Sequence, residues 1–351
     1  MKSLGSDSLA DLSAGAVFLA TGGGGDPHVA ELIARQALDT YGPVELLDPD
    51  DLDDDALVVA LGGVGAPTVS LELLPSMNES VDTLRAFEDR FDRKIDAVVS
   101  FEVGGGNSLI PIVAAAGMGI PVVNGDGMGR ALPEAQMMTY PISGVRPTPA
   151  VTTDYKGTVT EFHTHDIMDF EREIRQCALQ SGGMVTSAEH PMTGSQLKAS
   201  IVPRTISFSI ELGRILRKYR GNAHRILEPL SALFADSIYG DIYHVYTGKV
   251  VDSATKVIGG YDIGEATIAS FDGSSPPLKI SIKNEYLLAE IGGEVVASVP
   301  DLITILDYET STPINAERLR FGQRVTVYGV GCPAFYQTPA ALEFVAPRCF
   351  G

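Results

Sequence analysis

Short apolar runs that end in glycines alternate with helical patterns over the first 145 residues. The runs span residues 56–61, 95–101 and 120–123, and a glycine-rich turn follows each one. Helical patterns lie between them, near 82–91 and 108–117. Continuous Val/Ile runs are typical of strands buried on both faces of a parallel sheet. The β-α-β-α-β order therefore predicts an α/β fold, with a three-layer domain in which helices cover a parallel sheet.

The chain begins with a different pattern. Residues 9–19 follow helical spacing and lead to four glycines at 22–25. Asp26 and Pro27 then resemble a helix N-cap followed by proline at the first helical position. This order predicts a helix, a glycine loop and a second helix, although residues 16–20 are also compatible with a short strand.

After about residue 150 the pattern changes to helices followed by short alternating runs. Helices are predicted at 171–180, 206–219 and 224–234. From Ile238 the chain is β-rich, with runs at 242–246, 266–271, 278–282 and 324–330. We therefore expect an α/β ligand-binding domain over 1–165 and an α+β domain over 166–351, β-rich after 238.

Composition narrows the class of protein. The 351 residues include 26 Lys and Arg against 45 Asp and Glu, a net charge of −19, which argues against nucleic-acid binding. Three cysteines fit a reducing compartment. No apolar run reaches the roughly 18 residues of a membrane span, and Asp7 and Asp11 lie where a signal peptide would be basic. We expect a cytoplasmic protein with no membrane partner.

The glycine-rich loops at 62–66, 102–107 and 124–130 follow the three predicted strands. Ligands of open α/β sheets bind outside the carboxyl ends of the strands, and adjacent strands lie about 4.8 Å apart. If the strands are neighbours, the loops converge on one glycine-lined crevice. The polar side chains brought there would be Glu102, Asn107, Asp126, Arg130 and Glu134.

Glu102 and Asp126 each fall just past a strand end. Two carboxylates there could act as base and acid, or hold a divalent metal ion through oxygen. The alternative is that each caps the helix that follows, or that Asp126 bonds backbone N–H groups in its own turn.

Arg130 and Glu134 stand at i, i+4 on a predicted helix. They could form a modest pair worth about 0.3 kcal/mol, or Arg130 could grip a substrate carboxylate while Glu134 orients it. Farther along, Thr193 could cap a helix that carries Lys198. That lysine could reach over the crevice, or be an ordinary exposed side chain.

The four glycines at 22–25 are not a nucleotide loop. They lack a Gly-Lys-Ser/Thr ending, and Pro27 occupies the place of the third glycine of a dinucleotide fingerprint. Asp26 would also repel a phosphate. We expect no nucleotide cofactor, and either close approach to an uncharged ligand or a plain connection between helices.

Other catalytic motifs are weak. His163 and His165 form a pair without an obvious third metal ligand, and no cysteine has a histidine at catalytic spacing. No serine lies in a Gly-x-Ser-x-Gly elbow, which argues against an α/β-hydrolase.

Several motifs together resemble the S-methyl-thiohydantoin desulfurase family, long described only as a domain of unknown function beside or fused to hydantoinase/oxoprolinase subunits. The similarity extends over nearly the whole chain, and the combination is more specific than any one piece. The motifs are TGGGGDP at 21–27, GAP at 65–67, EVGGGNSLIP at 102–111, NGDGMGRALPEAQM at 124–137, PMTG at 191–194, VPDLITILD at 299–307 and APRCFG at 346–351.

The resemblance implies a hydrolase acting on a five-membered thiohydantoin-type ring and releasing a sulfur species. Our hypothesis is that water attacks the sulfur-bearing carbon. The catalytic candidates are Glu102, Asp126 and Asn107. The substrate-binding candidates are Gly22, Gly23, Gly24, Gly25, Gly105, Arg130, Glu134, Met192, Thr193 and Lys198. In this hypothesis Glu102 or Asp126 takes the proton of the water, directly or through a divalent metal ion, and Asn107 stabilises charge on the ring.

Two alternatives remain open at the level of sequence. One is a hydantoinase- or oxoprolinase-like component that opens a cyclic amide. The other is a non-catalytic subunit or ligand-binding partner of a hydantoinase. Besides a small cyclic substrate, the expected partners are therefore a hydantoinase-like subunit or further copies of the same chain.

Overall fold

The computed structural model describes residues 3–66, 68–69, 73, 75–222 and 225–350. Two sheets organise this part of the chain. The strands of the first sheet are β1 (Ser3–Leu4), β2 (Val44–Leu47), β3 (Leu57–Gly65), β4 (Ala97–Ser100), β5 (Val122–Asp126), β6 (Ala150–Thr153), β7 (Val159–Phe162), β8 (Met184–Thr193) and β9 (Val202–Pro203). Those of the second are β10 (Ile242–Ile258), β11 (Tyr261–Ala269), β12 (Leu278–Lys283), β13 (Glu285–Ile291), β14 (Glu294–Ser298), β15 (Leu302–Asp307) and β16 (Arg324–Val330).

The centre of the first sheet is parallel, as the apolar runs predict. Its order is β1-β2-β5-β4-β3-β8-β6-β7, with β9 beside β5. Within it β2, β5, β4 and β3 run parallel, with Val58 opposite Ala97 and Val98 opposite Val122. The three predicted strands are therefore adjacent, and their carboxyl ends lie at one edge of the sheet. The α/β fold class is confirmed.

The outer strands make the sheet mixed rather than purely parallel. β8 lies antiparallel to β3, with Leu61 opposite Ala188, and β6 and β7 continue the sheet beyond it. The pattern of β8 is hard to recognise because it buries polar side chains, among them Ser187, Glu189 and His190. The first sheet thus takes strands from both sides of residue 165.

Ten helices surround the sheets in the described part of the chain. They are α1 (Leu9–Leu19), α2 (Pro27–Tyr41), α3 (Met77–Phe91), α4 (Ile110–Met118), α5 (Thr139–Ile142), α6 (Ile167–Gln180), α7 (Gly194–Ser200), α8 (Thr205–Lys218), α9 (Leu227–Ala235) and α10 (Pro339–Val345). None of the helices in the described ranges is long and apolar enough to cross a membrane. The helices expected near 82–91, 108–117, 171–180, 206–219 and 224–234 are present, although the expected start of the last, at 224, lies outside the described residues.

The prediction of a helix, a glycine loop and a helix at the start of the chain is confirmed. Residues 16–20 form the end of α1 and its C-cap, so the strand alternative is wrong. Asp26 caps α2 by accepting a hydrogen bond from His28 N at 2.9 Å, and Pro27 is the first helical residue. α1 is almost wholly buried because α8 packs on it so closely that the two helix backbones are in contact. A Cβ on Gly15 would lie 1.9 Å from Ser209 O, so the glycine permits this approach.

The second sheet is antiparallel throughout, in the order β14-β13-β12-β11-β10-β16-β15. The 17-residue strand β10 pairs with β16 along its first half and with β11 along its second, so the sheet curls around a separate apolar core. This is the β-rich region expected after 238.

Candidate active site

A cavity of about 220 Å³ opens at the carboxyl ends of β3 and β4, against the start of β13 in the second sheet. The loops after the parallel strands converge there, as the sequence predicts. The apolar wall includes Val29 and Ile33 on α2, Val64 on β3, Ile110 and Val113 on α4, and Met184 on β8. The polar lining includes Asp26, Glu79, Glu102, Asn107, Glu134, Glu171, Arg175, Glu189, Glu285 and Arg318.

Glu102 is held at the cavity wall by two hydrogen bonds. Its Oε1 accepts from Asn107 Nδ2 at 2.7 Å, and its Oε2 accepts from Leu132 N at 3.2 Å. The side chain is 5% exposed, and this burial raises the pKa of the carboxyl to about 8, although the two hydrogen bonds act in the opposite direction. Glu102 can therefore exchange a proton close to neutral pH.

Asn107 connects the ends of two strands. Its Oδ1 accepts from Gly63 N at 2.8 Å, while its Nδ2 donates to Glu102. Both ends of the amide are thus engaged, and the Glu102 carboxyl is fixed relative to β3. The geometry gives Asn107 a positioning role for Glu102.

Asp126 lies beneath the cavity and is fully buried. Its Oδ2 accepts from the backbone N–H groups of Val103, Met128 and Gly129 at 2.9, 2.9 and 2.7 Å. Burial raises its pKa to about 6, against the lowering effect of the Thr205 hydroxyl and these N–H groups. Asp126 does not line the cavity. The structure thus places it as the carboxylate that orders the two loops, which is the turn alternative stated above.

Glu102 and Asp126, the two carboxylates considered above as metal ligands, are engaged mainly by the protein itself. The oxygens of Glu102 and the Oδ2 of Asp126 accept hydrogen bonds from protein N–H groups. Across the described ranges, no three His, Cys, Asp or Glu side chains are grouped to hold a metal.

Arg130 is fully buried and bonded to the protein itself. Its Nε donates to Ala131 O at 2.9 Å, its Nη1 to Asp301 O at 2.7 Å and to Pro300 O at 3.0 Å, and its Nη2 to Thr21 Oγ1 at 2.6 Å. The guanidinium joins the glycine loop to the turn before β15. It does not line the cavity, so it is not positioned to grip a substrate carboxylate.

The helix expected through Arg130 and Glu134 is absent. Residues 127–134 are irregular, and Glu134 precedes a short 3-10 turn, Ala135–Met137. Gly129 has a φ of +70° and residue 133 is proline, and both oppose a helix here. Glu134 does line the cavity, where it accepts hydrogen bonds from Lys283 Nζ and Gln136 Nε2.

The four glycines at 22–25 allow three segments to meet. A Cβ on Gly22 would lie 2.8 Å from the Tyr286 ring, and one on Gly24 would lie 2.3 Å from Gly104 C. Gly105, with a φ of +42°, approaches Gly25 O so closely that a Cβ would stand 2.0 Å from it. Gly24 and Gly25 line the cavity. Both expected uses of the loop, tight connection and approach to a ligand site, are compatible with this arrangement.

Met192, Thr193 and Lys198 are not brought to the cavity. Met192 pairs with Val58 and Thr193 with Leu57, at the amino end of β3. Thr193 caps α7, as the sequence predicts, by accepting from Gln196 N at 3.2 Å. Lys198 Nζ donates to Asp54 Oδ1 at 2.7 Å on the surface. The structure therefore supports a surface role for Lys198 rather than a position over the crevice.

Sequence reasoning missed Glu285, the first residue of β13. Its side chain lines the cavity and is 2% exposed, and its Oε2 has no hydrogen-bond partner among the described residues. Burial, together with the charge of Glu102, raises its pKa well above the ordinary range. No motif marks this position, because its place depends on how the second sheet packs against the first.

The arginines at the cavity are already paired. Arg175 donates to Glu171 Oε1 at 2.7 Å from Nη2, and Arg318 donates to Asp26 Oδ2 at 2.6 Å from Nε. Arg175 also lies over the Tyr261 ring, which donates its hydroxyl to Glu171 at 3.0 Å. The remaining polar lining is dominated by carboxyl groups.

A crystal structure of a protein from Chromobacterium violaceum has the same fold, with a TM-score of 0.83 and 24% sequence identity. The match covers 98% of this chain and 95% of that one. A search of curated proteins finds no match.

Two family models together cover almost the entire chain. The model described as "S-Me-THD-like, N-terminal domain" matches residues 7–164, and the one described as "S-Me-THD-like, C-terminal domain" matches 164–351. Both halves of the family's arrangement are therefore present in order. The family expected from the motifs is confirmed: the chain belongs to the S-methyl-thiohydantoin desulfurase-like family.

Proposed function

We propose that the protein is a hydrolase that removes the sulfur substituent from a five-membered thiohydantoin-type ring. The observation that carries this proposal is the Glu102 carboxyl, buried at the wall of a small cavity and fixed by Asn107 and Leu132 N. Family membership supports a thiohydantoin-related substrate.

In the proposed reaction the ionised Glu102 takes a proton from a water molecule as the water oxygen bonds to the sulfur-bearing ring carbon. A base with a pKa near the working pH combines adequate basicity with ready ionisation, and a positioned base contributes about 10²–10⁴-fold to the rate. The pKa of about 8 for Glu102 suits this role. Asn107 keeps the carboxylate in one orientation, so less entropy is lost when the reactive geometry forms.

The volume and lining of the cavity indicate the size and charge of the substrate. Its volume of about 220 Å³ is small for a ligand site, which favours a single ring with a short substituent. The wall formed by Val29, Ile33 and Ile110 offers an apolar surface to that substituent. Because the polar lining is mainly acidic and Arg130 is bonded elsewhere, we expect a neutral ring to be preferred over one that bears a carboxylate.

The test is to incubate the purified chain with an S-methyl-thiohydantoin and to follow thiol release and ring opening separately. Thiol release by the wild type, lowered by about 10²–10⁴-fold in Glu102→Gln, is the expected result. Glu294→Gln is the matched control, since Glu294 is exposed on β14.

Other outcomes would contradict the proposal in distinct ways. Ring opening of a hydantoin without thiol release would indicate a cyclic-amide hydrolase. Ligand binding without turnover, with activity appearing only after a hydantoinase-like subunit is added, would indicate a non-catalytic partner.

A further inference from the structure

Glu285 brings a further buried carboxyl to the cavity, from the opposite sheet, in addition to Glu102, Glu171 and Glu189. Glu102 follows β4 of the first sheet, whereas Glu285 opens β13 of the second. Both line the same cavity, and Glu285 Oε2 has no hydrogen-bond partner among the described residues. A buried polar oxygen left unpaired is costly to the fold, so its presence calls for a functional explanation.

The glycine loop leaves room for this carboxyl. A Cβ on residue 23 would lie only 2.0 Å from Glu285 Oε1, so any residue other than Gly23 would displace the glutamate. Neighbouring turns fix the start of the strand, since Tyr286 N donates to Thr21 O at 2.6 Å. Among the described residues no ion pair holds Glu285, so its position follows from these backbone contacts.

We propose that Glu285 is the general acid that protonates the departing sulfur, an inference that rests on the function proposed above. Glu102 takes one proton from the attacking water, and the C=N electron pair moves to the ring nitrogen as the C–O bond forms. The electron pair returns, the C–S bond breaks, and the sulfur receives the Glu285 proton and leaves as a thiol. The ring carbon retains the hydroxyl, which tautomerises to the carbonyl and N–H of a hydantoin.

Glu102 and Glu285 together accept and supply all the protons transferred in this reaction. The reaction begins with Glu102 ionised and Glu285 protonated, and it ends with the opposite arrangement. Transfer of one proton from Glu102 to Glu285, directly or through a water in the shared cavity, restores the starting state. No oxidant or further reactant is needed.

The surroundings of Glu285 keep its proton in place. Burial and the nearby Glu102 raise the pKa of its carboxyl well above the ordinary value, and the charges of Arg130 and Arg175 oppose this only in part. We assign Glu102, whose pKa is about 8, as the base because protein N–H groups already stabilise its ionised form, whereas Glu285 Oε2 has no such donor among the described residues. Two carboxyls in such different hydrogen-bonding environments can divide the roles of acid and base.

The experiment compares two substrates that differ only in the leaving thiol, S-methyl-thiohydantoin and its S-trifluoroethyl analogue. The trifluoroethyl thiolate is the weaker base and needs little protonation to leave. We expect Glu285→Gln to lower kcat/KM by about 10²–10⁴-fold for the methyl compound and by about tenfold or less for the other. Glu102→Gln should lower both by a similar factor, and Glu294→Gln neither.

An equal loss on both substrates in Glu285→Gln, or no loss, would overturn the inference while leaving thiol release by the wild type intact. A wild type that releases no thiol would overturn the proposed function and the inference with it. Infrared spectra give a readout independent of turnover. At neutral pH the protonated-carboxyl absorption of the wild type should exceed that of Glu285→Gln by the contribution of one carboxyl, and absence of this difference would also overturn the assignment. Circular dichroism establishes that each variant is folded.

Discussion

Asn107 Nδ2 donates to Glu102 Oε1 at 2.7 Å, and the same amide accepts from Gly63 N. One side chain therefore sets the distance between the end of β3 and the carboxyl that follows β4. Because the hydrogen bond favours the ionised form of Glu102, it also partly offsets the effect of burial on the pKa.

Replacing Asn107 by Asp keeps an acceptor for Gly63 N but removes the donor to Glu102 and adds a like charge. The pKa of Glu102 should rise further, because both changes disfavour its ionised form. We expect the rising limb of the pH–kcat/KM profile, near pH 8 in the wild type, to move up by about one pH unit or more. Asn78→Asp, at an exposed position on α3, is the control. A profile unchanged in Asn107→Asp would show that this amide does not tune the base.

Glu102→Gln should stabilise the protein increasingly as the pH rises. The folded Glu102 keeps its proton up to about pH 8, whereas an ordinary glutamate ionises near 4.5. The wild type therefore loses stability between these values, because the unfolded chain releases the proton more readily. The difference in melting temperature, variant minus wild type, should grow from pH 5 to pH 8.5. A constant difference over this range would contradict the raised pKa.

Arg130→Met should destabilise the protein without changing substrate selectivity. It removes the buried donor to Thr21, Pro300 and Asp301, so several acceptors lose their partner. Each buried acceptor left without a donor costs about 1–3 kcal/mol, so we expect a loss of stability of at least this size, measurable by urea unfolding. The KM ratio for neutral and carboxylate-bearing rings should remain that of the wild type. A selective rise in KM for the carboxylate-bearing ring would restore the substrate-binding role expected from the sequence.

Gly23→Ala should lower both activity and stability through Glu285. The new Cβ would stand 2.0 Å from Glu285 Oε1, so the carboxyl or the loop must shift. Overpacking of this kind costs about 1–3 kcal/mol. In a Glu285→Ala background, where the obstructing carboxyl is gone, the cost should be much smaller. Equal costs in the two backgrounds would show that the glycine serves only its loop.

The sequence predicts the convergence of loops well because that information is local. The run at 95–101 ends in glycines, and Glu102 and Asn107 follow within a few residues. Parallel pairing then places them at one sheet edge. Asp126 also follows a strand end, so the sequence alone does not separate it from Glu102. The structure does, because Asp126 is fully buried and its Oδ2 accepts from three backbone N–H groups, which gives it a role in ordering the loops.

Glu285 could not be predicted in this way, since it comes from a strand far along the chain. Its position depends on the register of β13 and on the fit of Tyr286 against the glycine loop. Long-range packing of this kind leaves no periodicity in a single sequence. The same holds for β8, whose buried Glu189 and His190 break the apolar alternation typical of a strand.

The place of β8 limits how the protein can be divided. A fragment that ends at residue 164, where the two family models meet, would lack the strand that pairs with β3 from Leu57 to Gly65. That fragment would expose a long unpaired β edge, a common starting point for aggregation. Each half of this chain would also carry only one of the two carboxyls, so a bisected protein would have to reassemble before it could act.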